Sequence, residues 1–393
     1  TAKGTETFHF SGSSIGKLLA TCIQEEVVKQ VGTFNRRVEK ANFVVLANTN
    51  MHAALVECVF LSNPNEAKLL LDPNFRQNLA QGIFNGLDRY ILTSLPRIAG
   101  ANRYETAARI SQEGFTSSST VVLASGENFP DALAGAPLAY KYHSPLLLTS
   151  PTSLNSETKA EIKRLGATQC IILGGTGAVS SSVGTELENM GLKVKRIAGK
   201  NRFETASLIA REVGSSTGEA VIVSGLNFPD ALAMSSYAAK SQIPILLSRE
   251  TTLTAETTST LSLLGIQRTI IAGGKGVISL EVETYLTNNG HNPTRVAGSN
   301  RFETSALIAY NYFPLANTAY VATGENFPDA LSAACLAAMK NAPIVLVEKE
   351  KLPTSVDNYI RAYAANLQGV YLLGGEGPIS ADVARQICAI LYF

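Results

Sequence analysis

The 393 residues contain no tryptophan and only 17% charged residues, and no stretch of about 18 consecutive apolar residues occurs among them. The last absence excludes a transmembrane helix. The first residues also lack the basic, apolar, small-residue order of a signal peptide, and the chain opens at Thr1 without Met, which leads us to expect a processed or truncated form. Charge of one sign is missing too. Thirty-three Lys+Arg stand against 32 Asp+Glu, a net charge of +1, so no global field recruits nucleic acid or an acidic membrane surface. Any anionic partner must be held locally. The five cysteines, Cys22, Cys58, Cys170, Cys335 and Cys388, are scattered and never spaced C-x-x-C, which argues against a disulfide framework or a zinc knuckle and for small buried residues.

Hydrophobic residues at 45% together with 31 glycines imply α/β layers joined by many tight turns, and the length allows two to four domains, each with its own core. A repeat organises most of that length. RIAGANRYETAARI from Arg97 returns as RIAGKNRFETASLI from Arg196 and RVAGSNRFETSALI from Arg295, both steps being 99 residues. The same step carries NFPDALA or NFPDALS at Asn128, Asn227 and Asn326, and the prolines Pro145, Pro244 and Pro343 before apolar runs. A third signature, ILGGTGAVS from Ile172, returns as IAGGKGVIS from Ile271 and LLGGEGPIS from Leu373, the last step longer by two residues.

A period near 99 residues is too long for a solenoid unit and long enough for a small domain. The runs VVLAS at Val121, PLLLTS at Pro145 and CIILGG at Cys170 are the short, wholly apolar stretches of parallel strands buried on both faces. FPDALAGAPLAYK, SETKAEIKRLG and SSSVGTELENMG between them have helical spacing, with Gly166 and Gly191 at expected helix stops. Alternating elements of this length predict α/β modules with parallel sheets over 93–194, 195–293 and 294–393, preceded by a different domain over 1–92.

The repeated polar residues admit a structural and a functional reading. Asn102 and Glu105, Asn201 and Glu204, and Asn300 and Glu303 have the spacing of a helix N-cap with a reciprocal carboxylate. Asn128 and Asp131, Asn227 and Asp230, and Asn326 and Asp329 share it, with a proline in the first turn. Capping leaves six arginines unexplained: Arg97, Arg196 and Arg295, and Arg103, Arg202 and Arg301. Arg suits bidentate ion pairs and equally phosphate or carboxylate recognition, so these six are candidates either for pairing with Asp or Glu or for holding a polymer. The Gly-Gly pairs at Gly174, Gly273 and Gly374 read as tight turns, because G-G-x-G has neither the dinucleotide nor the Walker order. No D-x-D pair or repeated His supports metal chemistry in the copies, and Leu226 stands where the other copies have Glu127 and Glu325.

The combination R-[IV]-A-G-x-N-R-[YF]-E-T, N-F-P-D-A-L and [IL]-x-G-G-x-G-x-[IV]-S, from Arg97 to about Ile379, resembles the type 2 cell-wall-binding repeat found in triplicate on secreted proteins of Gram-positive bacteria. The resemblance implies Toprim-like modules packed as an intramolecular, pseudo-threefold trimer. It also implies peptidoglycan and anionic cell-wall polymers as partners, with non-covalent anchoring to the polymers of the wall, and hence a secreted, cell-wall or cell-surface location.

Before Arg97 the chain holds GTETFHF, a helical stretch from Ile15 to Val31, the strand-like ANFVVLANTN, then AALVECVFLSNPNEAKLLLDPNF and an amphipathic helix AQGIFNGLDRYI. Glu57, inside ALVECVF, is an anomalous charge that calls for a positive partner such as Arg36 or Arg37, a metal or a raised pKa. G-T-E-T-F, A-N-F-x-V-L-x-N-T-N and L-V-E-C-x-F-L-S-N-P-x-E together resemble the zinc-dependent N-acetylmuramoyl-L-alanine amidases of type 3. By that resemblance Glu57 is the catalytic glutamate beside a zinc-bound water, and zinc is expected in a form carrying the family's two His and one Glu, which lie upstream of GTETF. His9 and His52 match no ligand position, and His143 and His291 are expected at the surface of the modules. Two functions follow: a wall-anchored peptidoglycan amidase represented by the C-terminal half of its catalytic domain, or a non-catalytic wall-binding or surface-layer protein with a degenerate amidase remnant.

Overall fold

Four sheets organise residues 2–392, the part of the chain that the computed structural model describes. The chain divides into two units, one of residues 2–96 with 384–392 and the other Arg97–Val383. Among the described residues no helix is long and apolar enough to cross a membrane.

The first unit contains β1 (Thr5–His9), α1 (Ser14–Val31), β2 (Asn35–Lys40), α2 (Val44–Ala47), β3 (Ala54–Glu57), α3 (Pro64–Leu69) and α4 (Pro73–Ser94). Its sheet runs β2-β1-β3, with β2 parallel and β3 antiparallel to β1. Ser13 caps α1 by accepting the Gly16 amide, and Gly32 ends it in the left-handed conformation. Helices α1 and α4 meet closely enough that a Cβ on Gly86 would strike the backbone of Cys22 and Ile23. Leu19, Cys22, Ile23, Val27 and Tyr90 form the small core there. The expected strand within ANFVVLANTN is instead the single turn α2. Val44 and Val45 are 72% and 64% exposed, so this apolar run has no second layer to bury it and the sheet takes Ala54–Glu57 as its strand.

Each repeat copy contributes the same succession of elements. The first holds β4 (Arg97–Ile98), α5 (Arg103–Gly114), β5 (Thr120–Ser125), α6 (Gly135–Lys141), β6 (Leu146–Thr149), α7 (Ser156–Leu165), β7 (Gln169–Leu173) and α8 (Ser181–Asn189). The second holds β8 (Lys193–Ile197), α9 (Arg202–Val213), β9 (Glu219–Ser224), α10 (Pro229–Lys240), β10 (Ile245–Ser248), α11 (Ala255–Leu263), β11 (Arg268–Ala272) and α12 (Leu280–Asn288). The third holds β12 (Pro293–Val296), α13 (Arg301–Tyr312), β13 (Thr318–Thr323), α14 (Pro328–Met339), β14 (Ile344–Val347), α15 (Thr354–Tyr363), β15 (Gly369–Leu373) and α16 (Ala381–Tyr392), whose residues from Ala384 belong to the first unit.

The sheets do not coincide with the copies. Their orders are β6-β5-β7-β8, β10-β9-β11-β12 and β14-β13-β15-β4, and every pairing is parallel. Each copy therefore lends its opening strand to the sheet before it. The third sheet closes on the first copy, with Leu372 opposite Arg97 and Leu373 opposite Ile98. Helices α6, α10 and α14 pack against one another inside this ring. Phe129, Phe228 and Phe327 meet edge to face among them, with centroids 5.3, 5.7 and 6.1 Å apart. One continuous core runs through all three copies, which makes the arrangement pseudo-threefold and intramolecular.

Candidate functional site

The segment N-R-[YF]-E-T opens α5, α9 and α13. Asn102 Oδ1 accepts the amides of Tyr104 and Glu105 at 3.0 and 2.9 Å, and Asn201 and Asn300 do the same for their helices. The carboxylate does not return to the cap residue's own amide. Glu105 accepts from Ala101, Glu204 from Lys200 and Glu303 from Ser299, at 2.6, 2.5 and 2.7 Å, so the reciprocal bond reaches one residue further back.

N-F-P-D departs from the expected capping. The caps of α10 and α14 are Phe228 and Phe327, neither with a side-chain cap bond, and Asn227 and Asn326 stand one residue earlier. In the first copy Asn128 precedes a turn that contains Asp131, and the helix begins only at Gly135. The reason lies with the aspartates, which turn inward. A Cβ on Gly174 would run into the carboxylate of Asp131, one on Gly273 into Asp230, and one on Gly374 into Asp329. These first glycines also hold φ of 95°, 123° and 91°, so both backbone conformation and side-chain space require Gly there. Burial pushes the carboxyls of Asp230 and Asp329 up to about 6, opposed by Arg301 and Thr304 at the first and Arg103 at the second. Asp131 is raised by burial in the same way, opposed by Thr205 and Arg202.

Those opposing arginines belong to the next copy round the ring. Arg202 and Arg301 each donate to a carbonyl of their own copy, Gly225 at 2.7 Å and Gly324 at 2.6 Å, and Arg103 does so to Gly126. The other three bind the Gly-Gly turn. Arg97 donates to Gly374 and Gly375, Arg196 to Gly174 and Arg295 to Gly273, at 2.7–2.9 Å, and Arg295 alone adds an ion pair, with Glu283. All six thus bind backbone carbonyls, and Arg295 also makes an ion pair of the kind the structural reading expects. A planar fork reaches the carbonyls of a turn in a way that a lysine does not.

The motifs converge on three clefts, one at each junction. Between copies one and two, Asn128, Asp131, Gly175, Lys200, Asn201 and Arg202 line about 360 Å³. Between two and three, Asn227, Asp230, Gly274, Ser299, Asn300 and Arg301 line about 250 Å³. Between three and one, Asn102, Arg103, Glu325, Asn326, Asp329 and Gly375 line about 540 Å³. A groove of about 670 Å³ elsewhere on the first copy is lined by charges that satisfy one another, Glu105 with Arg109 and Glu161 with Arg164.

In the first unit, Glu57 lies half-buried at the end of β3, directly opposite Glu6 of β1. Arg36, a candidate partner for Glu57, pairs with Glu6 at 3.0 Å and lies over the ring of Phe60. Two buried polar residues escaped the sequence reading. Glu66 accepts the amides of Gly4 and Phe60 at 2.6 and 2.9 Å, and Gln24 donates to Thr5 O and Asn35 Oδ1 while accepting from Thr7. The signal for Glu66 was the S-N-P-x-E pattern, with Asn63 as cap and the glutamate in the first turn of α3.

Against known proteins, residues 97–184, 196–283 and 295–384 match the family Cell wall binding domain 2 (CWB2). The chain belongs to that family. Residues 1–89 match the N-acetylmuramoyl-L-alanine amidase family, so an amidase segment precedes the three CWB2 copies. The chain is 38% identical over 309 residues to the N-acetylmuramoyl-L-alanine amidase LytC of Bacillus subtilis (strain 168), covering 77% of this chain and 61% of that protein. To the "Amidase enhancer" of the same organism it is 32% identical over 296 residues, 75% of this chain and 40% of that one. Two solved structures share the CWB2 fold at 30% identity. Cwp8 from Clostridium difficile has a TM-score of 0.70 over 81% of this chain and 55% of its own, and Cwp6 one of 0.68 over 75% and 48%. The chain thus spans about half the length of the proteins it matches.

The amidase family's zinc can be tested against the donors present. Among the described residues no group of three or more His, Cys, Asp or Glu is placed to hold a metal. His9 Nδ1 lies 2.8 Å from the Phe10 carbonyl, His52 bonds the Tyr90 hydroxyl, and His143 is exposed. His291, expected at the surface, is buried with Nδ1 2.6 Å from the Ile266 carbonyl. These residues do not fit a three-ligand zinc site.

Proposed function

We propose that this chain attaches a peptidoglycan hydrolase of the N-acetylmuramoyl-L-alanine amidase type to the Gram-positive cell wall, outside the cell, and that its CWB2 ring is the attachment device. The reading rests on the order of the two families along the chain and on the similarity to LytC, an amidase by name. The observation that carries the anchoring half is the threefold recurrence of one cleft, each built from N-x-P-D and G-G-x-G of one copy and G-x-N-R of the next.

The partner is an anionic wall polymer. Arg103, Arg202 and Arg301 line the clefts, and for Arg202 and Arg301 only one bonded nitrogen is committed to a glycine carbonyl, leaving other guanidinium N–H groups for a phosphate or carboxylate. Arg97, Arg196 and Arg295 serve by shaping the glycine turns. Glu57 is the residue assigned to proton transfer by the amidase resemblance, in a form that carries the family's upstream zinc ligands. Cosedimentation of the full chain with purified walls tests the anchor. Binding should be retained on intact walls and lost on walls extracted of their anionic polymers; equal binding to both would remove the anionic assignment. Release of muramoyl-linked peptides, with and without added zinc and with Glu57→Gln as control, tests the hydrolytic half separately.

A further inference from the structure

Resting on that anchoring reading, we infer that the three clefts are not equivalent, and that anionic segments seat at the one–two and two–three junctions while the ring-closing three–one junction repels them. The repeat conserves the framework of each cleft but varies the residues on its rim. Position 101 is Ala, and its counterparts are Lys200 and Ser299. The third residue of the G-G-x-G turn is Thr176, Lys275 and Glu376 in the three copies. The residue before N-F-P-D is Glu127, Leu226 and Glu325.

Geometry decides which of these charges face a cleft. Lys200 lines the one–two cleft, and Lys275 stands between Gly274 and Gly276, which line the two–three cleft; both lysines are exposed. Glu325 lines the three–one cleft, and Glu376 stands on its turn between Gly375 and Gly377. Glu127 would oppose Lys200 at the one–two junction, but it is directed toward the phenol of Tyr104 and is absent from the lining of that cleft. The third copy has Phe302 at the position of Tyr104, so Glu325 has no phenol beside it, and it accepts the Lys349 amide at 3.4 Å. At the two–three junction Leu226 removes the carboxylate altogether.

The one–two cleft therefore sets Arg202 and Lys200 against Asp131, and the two–three cleft Arg301 and Lys275 against Asp230. The ring-closing cleft sets Arg103 against Asp329, Glu325 and Glu376, with Arg97 behind the turn and already bonded to it. Size runs the other way, since the ring-closing cleft is the largest at about 540 Å³. Charge prevails for a polyanion, because the rim groups lie well within a Debye length of anything seated there, roughly 8 Å at physiological salt. The ligand chemistry common to the two basic clefts is a phosphate- or carboxylate-bearing chain.

The test uses the full chain and rim residues that are exposed, so the fold is left intact, as a melting curve would verify. Binding is titrated with polyglycerol phosphate and, in a second arm, with polygalacturonate, which separates phosphate from carboxylate recognition. Lys200→Glu and Lys275→Glu should each weaken binding roughly five- to tenfold at low salt. Glu325→Gln with Glu376→Gln should strengthen it severalfold, by opening the third cleft. The differences should collapse at about 0.5 M salt. Unchanged affinity in both lysine variants, with the parent still binding, overturns the inference and leaves the anchor standing. Failure of the parent to bind either polyanion or intact walls overturns both.

Discussion

The N-terminal unit and the ring solve the burial problem at different levels. In the ring, strands such as β5, β10 and β14 are buried along their whole length, and the repeated polar residues bind the backbone of the same or an adjoining copy. The N-terminal unit has a three-stranded sheet and a core of five residues, and it exposes Phe34, Val44, Val45, Met51, Leu61, Leu71 and Phe84 by more than 60% each. Copies that share strands and a core should unfold together. A small unit with its own core should unfold separately and earlier.

Gly86→Leu is the sharpest way to break that comparison. Its side chain would enter the backbone of α1 at Cys22 and Ile23, so α1 and α4 could no longer approach. Calorimetry should lose the lower transition and keep the upper one unchanged; loss of both would show that the ring depends on this unit. Gly273→Ala is the corresponding change in the ring, where a methyl at φ 123° would meet the carboxylate of Asp230. On the order of 2–4 kcal/mol should be lost. Because one core joins the copies, chemical denaturation should report this as a shift of the whole ring transition, without a separate phase for the second copy.

The period, the buried strands, the Asn caps and the helix stops at Gly166 and Gly191 were legible because each is local in sequence. The strand exchange was not. A tandem repeat has the same period wherever a unit is taken to begin, so 99-residue spacing could not show that Arg97 and Ile98 complete the third sheet. The N-F-P-D aspartates misled for a related reason. Asn-x-x-Asp is the spacing of a cap, and only the fold brings Asp230 against Gly273, far along the chain. Arg36 was a candidate partner for Glu57, whereas the pairing of β2 with β1 sets it beside Glu6.

The inward aspartates make the ring respond to pH in a definite direction. A carboxyl with an ordinary value of 3.8, raised by burial to about 6, binds its proton more tightly in the fold than in the unfolded chain. The stability this confers is fully present below about pH 3.8 and is lost as pH rises through about 6. For these two groups alone, the folded ring should lose up to about 3 kcal/mol per aspartate across that window. Asp230→Asn and Asp329→Asn together should flatten this part of the pH dependence of the ring transition while leaving the lower transition's pH profile as it was. A profile unchanged by both substitutions would contradict burial as the origin of the shift.

Helix caps provide the smallest contrast, because here the two regions use the same chemistry with different backing. Asn300 Oδ1 accepts two amides of α13, while Glu303 binds the Ser299 amide just before it, so three donors at that terminus are satisfied by side chains. Asp72 accepts one amide, that of Asn74, and no side chain backs it. Asn300→Ala should cost about 1–2 kcal/mol and Asp72→Ala about 0.5–1, read as shifts of the upper and lower transitions respectively. Should the order reverse, the marginal unit would be leaning on its cap more heavily than the ring does. Its thin core would then be a larger part of the difference between the regions than the ring's web of bonds between side chains and backbone.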